Sequence, residues 1–144
     1  SKIDKYNDLK CISDIFYRIQ HELFNVGTTL ATLPEDLNDN MPCIRDEDIK
    51  RLENELDKFN QSLPMLRSFV LPGGSSVNIW LHKARTVCRK AERRCVALSN
   101  TTELEPNVIR YLNRLSDALF VWSRWANHIE GCEENLWNPN YSQK

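Results

Sequence analysis

The stretch SVNIWLHKARTVCRKAERRCVAL, residues 76–98, decides the fold because its apolar residues recur with the period of an α-helix. At about 100° per residue, one broad face of this helix is apolar. That face consists of Val77, Trp80, Leu81, Ala84, Val87, Cys88, Ala91 and Cys95. A neighbouring strip is charged or titratable at successive turns and consists of His82, Arg85, Arg89, Glu92 and Arg93. We predict one long helix that is capped by Ser75 or Ser76 and ends near Leu98.

Three further segments carry the same helical spacing of apolar residues. Residues 9–30 form one stripe, and residues 46–63 form another that starts with three acidic residues and stops at Pro64. The last stripe runs from Pro106 to a predicted C-terminal cap at Gly131. No strand pattern is present. Long helices with short connectors predict an all-α antiparallel helical bundle, in a single domain over residues 1–144.

Composition excludes several classes of protein. The chain has 144 residues, of which 41% are hydrophobic and 27% charged, and only four glycines, values that exclude collagen and disorder. No apolar run approaches the roughly 20 residues of a membrane span, so we expect no membrane partner. The net charge of −1 gives no bulk attraction to nucleic acid. Five cysteines without a CxxC pair argue against a disulfide framework or a zinc site, and favour a reducing compartment.

The charge is unevenly distributed. Residues 1–60 hold 13 acidic and 8 basic side chains, whereas residues 61–144 hold 7 acidic and 11 basic. Residues 83–94 alone contain six basic residues and one acidic residue. Like charges four residues apart on a helix, such as Arg85 and Arg89, repel each other. Two interpretations stay open at this point: a solvated face paired with acidic residues of the bundle, or a site for a polyanion.

Two polar residues four apart in the last helix, Asn113 and Asp117, also leave two interpretations open. They either make ordinary bonds within the bundle or present an amide and a carboxylate to a nucleoside.

Phe69, directly before a Pro-Gly-Gly turn, either buries that loop or forms an apolar wall beside a ligand.

The motifs FVLPGG at 69–74, LHKARTVCRKAER at 81–93 and YLNRLSDALFVWSR at 111–124 resemble those of the PduO-type ATP:cob(I)alamin adenosyltransferases. The stretch IQHELFNVGTTLAT at 19–32 resembles an early helix of the same family. The resemblance implies a ferritin-like up-down bundle of five helices that assembles as a homotrimer, with active sites between subunits. It also implies transfer of the 5′-deoxyadenosyl group of ATP to the cobalt of cob(I)alamin, with release of triphosphate.

The same resemblance implies roles for particular residues. Arg85 and Arg89 are the expected catalytic residues, and Phe69 and Asp117 are expected to contact the corrinoid. The expected ATP-binding residues are Arg89, Lys90, Glu92, Arg93 and Asn113. Magnesium is expected through the ATP phosphates, with no metal site of the protein's own. The implied partners are a reductase and an acceptor enzyme that uses adenosylcobalamin. The expected compartment is the cytoplasm or, alternatively, a mitochondrial or other organelle matrix.

The sequence departs from the family pattern in two ways. Lys90 replaces the usual arginine, which keeps the charge but loses the planar fork that binds phosphate through two bonds. The family's Gly/Thr-rich ATP loop and the following Asp-Glu-Leu-Asn segment have no counterpart in the chain, which starts SKIDKYNDLK. We therefore expect the chain as given to fold and trimerise but to turn over poorly or not at all. The alternatives are a non-catalytic bundle that delivers corrinoid or nucleotide, and a structural bundle whose basic strip is only an ion-pair lattice.

Overall fold

The computed structural model describes residues 2–143, and α-helices fill most of them. The helices are α1 (Lys2–Ala31), α2 (Asp46–Gln61), α3 (Ser76–Ser99) and α4 (Pro106–Glu130). Short 3₁₀ turns lie at Pro34–Asp36 and Tyr141–Gln143. The predicted mostly helical fold is confirmed. These residues hold four α-helices, one fewer than the resemblance implies.

The ends of α3 and α4 follow from the capping residues in the sequence. Ser75 is the N-cap of α3, and its hydroxyl accepts a 3.1 Å hydrogen bond from the backbone N–H of Asn78. Pro106 occupies the first turn of α4, where its missing N–H has no helical partner to lose. Gly131 ends α4 in the left-handed conformation with φ 69°, which lets the chain turn back along the bundle.

The core is centred on α4, which packs against α2 and α3. Tyr111 and Trp122 of α4 are fully buried. The rings of Phe16 and Phe59 meet the Trp122 ring edge-on, with centroids 5.2 Å and 6.2 Å away. Cys88 and Cys95 of α3 are buried, although their helix also leaves apolar side chains exposed. Trp80 and Val87 are 65% and 60% exposed and line an apolar groove of about 530 Å³ between α1, α3 and α4.

A polar cluster inside the bundle fixes α1 against α2 and α4. Arg18 donates two hydrogen bonds, of 2.5 and 2.6 Å, to the carboxylate of Glu55 and a third, of 3.0 Å, to Glu22. The Tyr111 hydroxyl donates a 2.6 Å bond to the other oxygen of Glu22. Because each buried oxygen has a partner, the cluster avoids the cost of an unpaired buried charge.

A small sheet corrects the prediction that the chain has no strands. Strand β1 (Val70–Leu71) pairs antiparallel with β2 (Asn135–Leu136), with Val70 opposite Leu136. Two residues are too few to show the alternation by which strands are recognised, and the partners lie far apart in the chain. The polar tail after α4 therefore folds back onto the connector between α2 and α3.

No helix in the described part of the chain is long and apolar enough to cross a membrane.

Candidate functional site

Two buried asparagines hold the Pro-Gly-Gly turn at the start of α3. Asn78 Oδ1 accepts a 3.0 Å bond from the backbone N–H of Gly73, and its Nδ2 donates to the carbonyl of Ser123 at 2.8 Å. Asn127 Oδ1 accepts from the N–H of Ser75 at 3.0 Å, and its Nδ2 donates to the carbonyl of Gly73 at 2.9 Å. Both side chains are at most 1% exposed. The turn is therefore rigidly attached to α3 and α4, and so is the strand that precedes it.

An open aromatic cavity of about 790 Å³ lies beside this turn. Phe69 and Trp137 form one wall, with ring centroids 5.9 Å apart, and Arg85 and Phe120 form another. The carbonyl of Phe69 accepts a 2.7 Å hydrogen bond from the N–H of Trp137, so the two aromatic residues are held by their backbones. Phe69 is 76% exposed, which is high for a phenylalanine of a folded protein and fits a wall for an apolar ligand.

Arg85 is one of two arginines that line the aromatic cavity, the other being Arg67. The guanidinium carbon of Arg85 lies 5.2 Å from the centre of the Phe120 ring. Its Nε is buried and has no hydrogen-bond partner among the described residues. Buried polar atoms almost always have a partner, so this N–H points to a ligand or a second subunit.

His82 lines the same cavity one turn earlier on α3. Its Nε2 lies 3.3 Å from the Ser123 hydroxyl, which itself donates to the carbonyl of Phe120 at 2.6 Å. Because the serine proton is used in that bond, His82 Nε2 is the donor to Ser123. Burial, and secondarily the positive charge of Arg85, lower the pKa of His82. His82 is therefore a neutral imidazole at neutral pH.

The second cavity, the arginine cavity, lies farther along α3 and holds about 510 Å³. Arg89, Glu92 and Arg93 face it from α3, and Asn113 faces it from α4. Arg85 and Arg89 are one helical turn apart, a rise of about 6 Å. The aromatic and arginine cavities are thus neighbours along a single helix.

A chain of hydrogen bonds crosses from α3 to α4 at the arginine cavity. Asn113 Nδ2 donates a 2.9 Å bond to Glu92 Oε1. Asn113 Oδ1 accepts a 2.7 Å bond from Arg114, whose Nη2 also pairs with Asp117 at 3.0 Å. Asp117 thus orients an arginine of its own helix rather than one of α3.

The basic segment of residues 83–94 lacks carboxylate partners among the side chains that the structure describes. None of its six cations makes a salt bridge there. They are Lys83, Arg85, Arg89, Lys90, Arg93 and Arg94. The ion-pair lattice that one interpretation of the sequence required is therefore absent from the described part of the chain. A polyanion would relieve the repulsion among these charges.

The predicted site residues divide into three groups. Arg89, Glu92, Arg93 and Asn113 meet at the arginine cavity, and Phe69 and Arg85 meet at the aromatic cavity. Lys90 is exposed and lines neither cavity, and Asp117 reaches the arginine cavity only through Arg114 and Asn113.

Four residues that line these cavities or hold their walls were not predicted from the sequence. They are Asn78, Arg114, Asn127 and Trp137. The spacing of Arg114, three residues before Asp117, signals a helical ion pair. No comparable signal marks Trp137, whose position depends on the fold of the tail.

The sequence profile of the cobalamin adenosyltransferase family matches residues 2–126. The chain belongs to this family. The two cavities and the Pro-Gly-Gly turn beside the aromatic cavity are all built from residues 64–137, and the match covers most of that region.

Relatives in the family come from bacteria and mammals. The corrinoid adenosyltransferase of Mycobacterium leprae is 44% identical over 137 residues, which cover 89% of this chain and 69% of that protein. The Bacillus subtilis enzyme is 43% identical and covers 78% of this chain and 57% of that protein. The human enzyme is 39% identical, with 85% of this chain matched to 50% of that protein. The chain thus spans between half and about two thirds of these relatives.

Solved structures of the family share the fold. A phenylalanine-to-alanine variant of the PduO-type ATP:corrinoid adenosyltransferase from Lactobacillus reuteri, complexed with cobalamin and ATP, superposes with a TM-score of 0.83. That structure is 33% identical and covers 89% of this chain and 71% of its own. An arginine-to-lysine variant of the same enzyme, complexed with ATP, has a TM-score of 0.83 at 32% identity, covering 90% of this chain and 72% of its own.

Proposed function

We propose that this protein transfers the 5′-deoxyadenosyl group of ATP to the cobalt of cob(I)alamin. The cobalt attacks the ribose 5′-carbon with its electron pair and forms the Co–C bond. The bond from that carbon to the phosphate oxygen breaks, and triphosphate leaves with the bonding electrons. The observation that carries this proposal is the arginine cavity, which lies one helical turn from an aromatic cavity. Its cations have no carboxylate partners among the side chains that the structure describes.

ATP is proposed to bind in the arginine cavity. Arg89 and Arg93 present two guanidinium groups that pair with phosphate oxygens, and the charge that builds on the leaving triphosphate strengthens those bonds. Glu92 and Asn113 supply an acceptor and an amide for the nucleoside. Lys90 lies outside the cavity, so its proposed contribution is a favourable field for the phosphates.

Magnesium is proposed to be held through the ATP phosphates. The described residues contain no cluster of three side chains that suits a metal ion, whereas Mg²⁺ commonly keeps its waters and binds substrate phosphates.

The corrinoid is proposed to bind in the aromatic cavity. Phe69 and Trp137 provide an apolar wall that excludes the lower axial ligand from the cobalt, and loss of that ligand eases reduction to the nucleophilic cob(I) state. Arg85, which lines the aromatic cavity one helical turn before Arg89, is proposed to position ATP and to pair with a carboxylate of a neighbouring subunit through its unpaired Nε. Asp117 contributes through Arg114.

The assembly is proposed to be a homotrimer of five-helix subunits, of which residues 2–143 supply four helices. The apolar groove beside Trp80 and Val87 supports a subunit contact because it leaves large apolar side chains in water.

Two further enzymes belong to the proposal: a reductase that supplies the electron and an enzyme that accepts adenosylcobalamin. The five free cysteines favour a reducing compartment, the cytoplasm or a mitochondrial matrix.

The test mixes the natural full-length protein with ATP, magnesium and chemically reduced cobalamin. We expect the absorption spectrum of cob(I)alamin to be replaced by that of a light-sensitive alkylcobalamin. Saturable binding of ATP and cobalamin with an unchanged spectrum would instead favour a non-catalytic delivery protein.

A further inference from the structure

Arg124 joins the two chain segments that carry the aromatic wall. This residue of α4 is only 4% exposed. Its Nη2 donates a 2.5 Å hydrogen bond to the carbonyl of Pro64, at the start of the connector that leads to Phe69. Its Nε donates a 2.5 Å bond to Glu134, in the tail that leads to Trp137.

Further hydrogen bonds join the connector directly to the tail, next to Arg124. Ser68 Oγ donates to the carbonyl of Trp137 at 2.8 Å, and the pairing of β1 with β2 lies directly beyond. Helix α4 is a rigid support, whereas the connector and the tail consist largely of loop. Arg124 bonds to both loops, whereas Asn127 of the same helix holds the connector only at the later Pro-Gly-Gly turn.

Arginine suits this task because its planar fork donates in several fixed directions at once. A buried guanidinium also requires its partners, since removing one leaves charge without compensation. The pair Arg124–Glu134 is thus a strong and directional tether for a tail that makes few other contacts with α4.

We propose that Arg124 is a positioning residue that acts through Glu134 and the Pro64 carbonyl to hold Phe69 and Trp137 together as the wall of the corrinoid cavity. The inference rests on the proposed function, because the wall matters only if a corrinoid binds there. In that case the wall's ability to exclude the lower ligand is set by a residue that does not itself line the cavity.

The test compares three variants of the natural full-length protein. Glu134→Gln removes the charge from the tail, Arg124→Lys keeps the charge but loses the fork, and Arg110→Lys is the matched control. Arg110 is also an arginine of α4 paired with a carboxylate, Asp46 at 3.2 Å, but it lines neither cavity. Glu134 lies outside the helices, so Glu134→Gln is expected to fold. It therefore tests the tether even if Arg124→Lys fails to fold.

The readout is the spectrum of bound cob(II)alamin in the presence of ATP, which reports the fraction that has lost its lower ligand. We expect Glu134→Gln to lower the ratio of ligand-free to ligand-bound cob(II)alamin by at least about tenfold, a size common for residues that orient a metal site from outside. The dissociation constant for ATP should stay unchanged, and Arg110→Lys should match the wild type.

A wild-type spectrum in Glu134→Gln would overturn the tether, and so would an equal loss of ATP binding, which would indicate a general structural role. If the wild-type protein itself forms no adenosylcobalamin, the proposed function fails and the tether is not at fault.

Discussion

The side-chain amide of Asn113 donates a 2.9 Å hydrogen bond to the carboxylate of Glu92 and thereby joins α4 to the basic strip of α3. Glu92 is the one acidic residue among the cations of residues 83–94, and its partner is an amide rather than an arginine. The guanidinium groups of Arg89 and Arg93 are consequently left available at the cavity. This relationship distinguishes a binding site from an ion-pair lattice.

Asn113→Ala should weaken ATP binding because it removes an amide from the cavity and releases Glu92 toward the arginines. We expect KM for ATP to rise about tenfold, equivalent to roughly 1.4 kcal/mol, with a smaller change in kcat. Steady-state kinetics measure both. Asn107→Ala is the control, since that asparagine of α4 bonds to Ile44 and Asp46 away from the cavity; an equal rise in both variants would contradict the assignment.

Phe69→Ala should leave ATP binding intact but impair loss of the lower ligand from cob(II)alamin. The reason is that half of the aromatic wall disappears while the arginine cavity is untouched. We expect kcat/KM for the corrinoid to fall at least about tenfold. Met65→Ala, at a 92% exposed apolar residue of the same connector, should behave as wild type. Unchanged corrinoid kinetics in Phe69→Ala would refute the wall.

Two glycines should respond oppositely to alanine. Gly74 has φ +96°, and a Cβ there would lie 2.6 Å from Asn127 Oδ1, so Gly74→Ala should cost about 1–3 kcal/mol of unfolding free energy. Gly27 lies in α1 with nothing within 4 Å of its Cβ position, so Gly27→Ala should stabilise by about 0.5–1 kcal/mol. Urea denaturation measures both. Equal effects would mean that the turn is not held as described.

Acid should destabilise the protein partly through His82. Its pKa is lowered in the folded state, mainly by burial, so the unfolded state takes up the proton more readily. The contribution of neutral His82 to the free energy of unfolding is fully present above the unfolded pKa of about 6.5, and it is lost as the pH falls toward the lowered pKa of the folded state. The free energy of unfolding should therefore fall more between pH 7 and pH 5 in the wild type than in His82→Asn. Parallel pH profiles would show that His82 is not a buried neutral imidazole.

The helices were predictable because their signals are local. Ser75, Pro106 and Gly131 each mark a helix end through the chemistry of a single residue, and the structure has all three ends there. Arg89, Glu92 and Arg93 share one side of α3 for the same reason, since helical geometry alone brings them together.

The loops were not predictable because their contacts join distant residues. The pairing of Val70 with Leu136 needs no pattern in either segment, only the return of the tail along the bundle. Asn78 and Asn127 are ordinary polar residues until the Pro-Gly-Gly turn presents its backbone to them. Lys90 shows the limit of a family motif, because the motif fixes its place in the sequence but not the cavity that it faces.

The most direct measurement of the central claim is a calorimetric titration of the natural full-length protein with ATP and magnesium. Arg89 is exposed and makes no salt bridge with any side chain that the structure describes, so Arg89→Ala should fold normally. Arg94→Ala, a neighbouring cation outside the cavity, is the matched control. We predict saturable binding in the wild type and in Arg94→Ala, and at least a tenfold weaker affinity in Arg89→Ala. No saturable binding in the wild type, or equal affinity in all three proteins, would contradict the account.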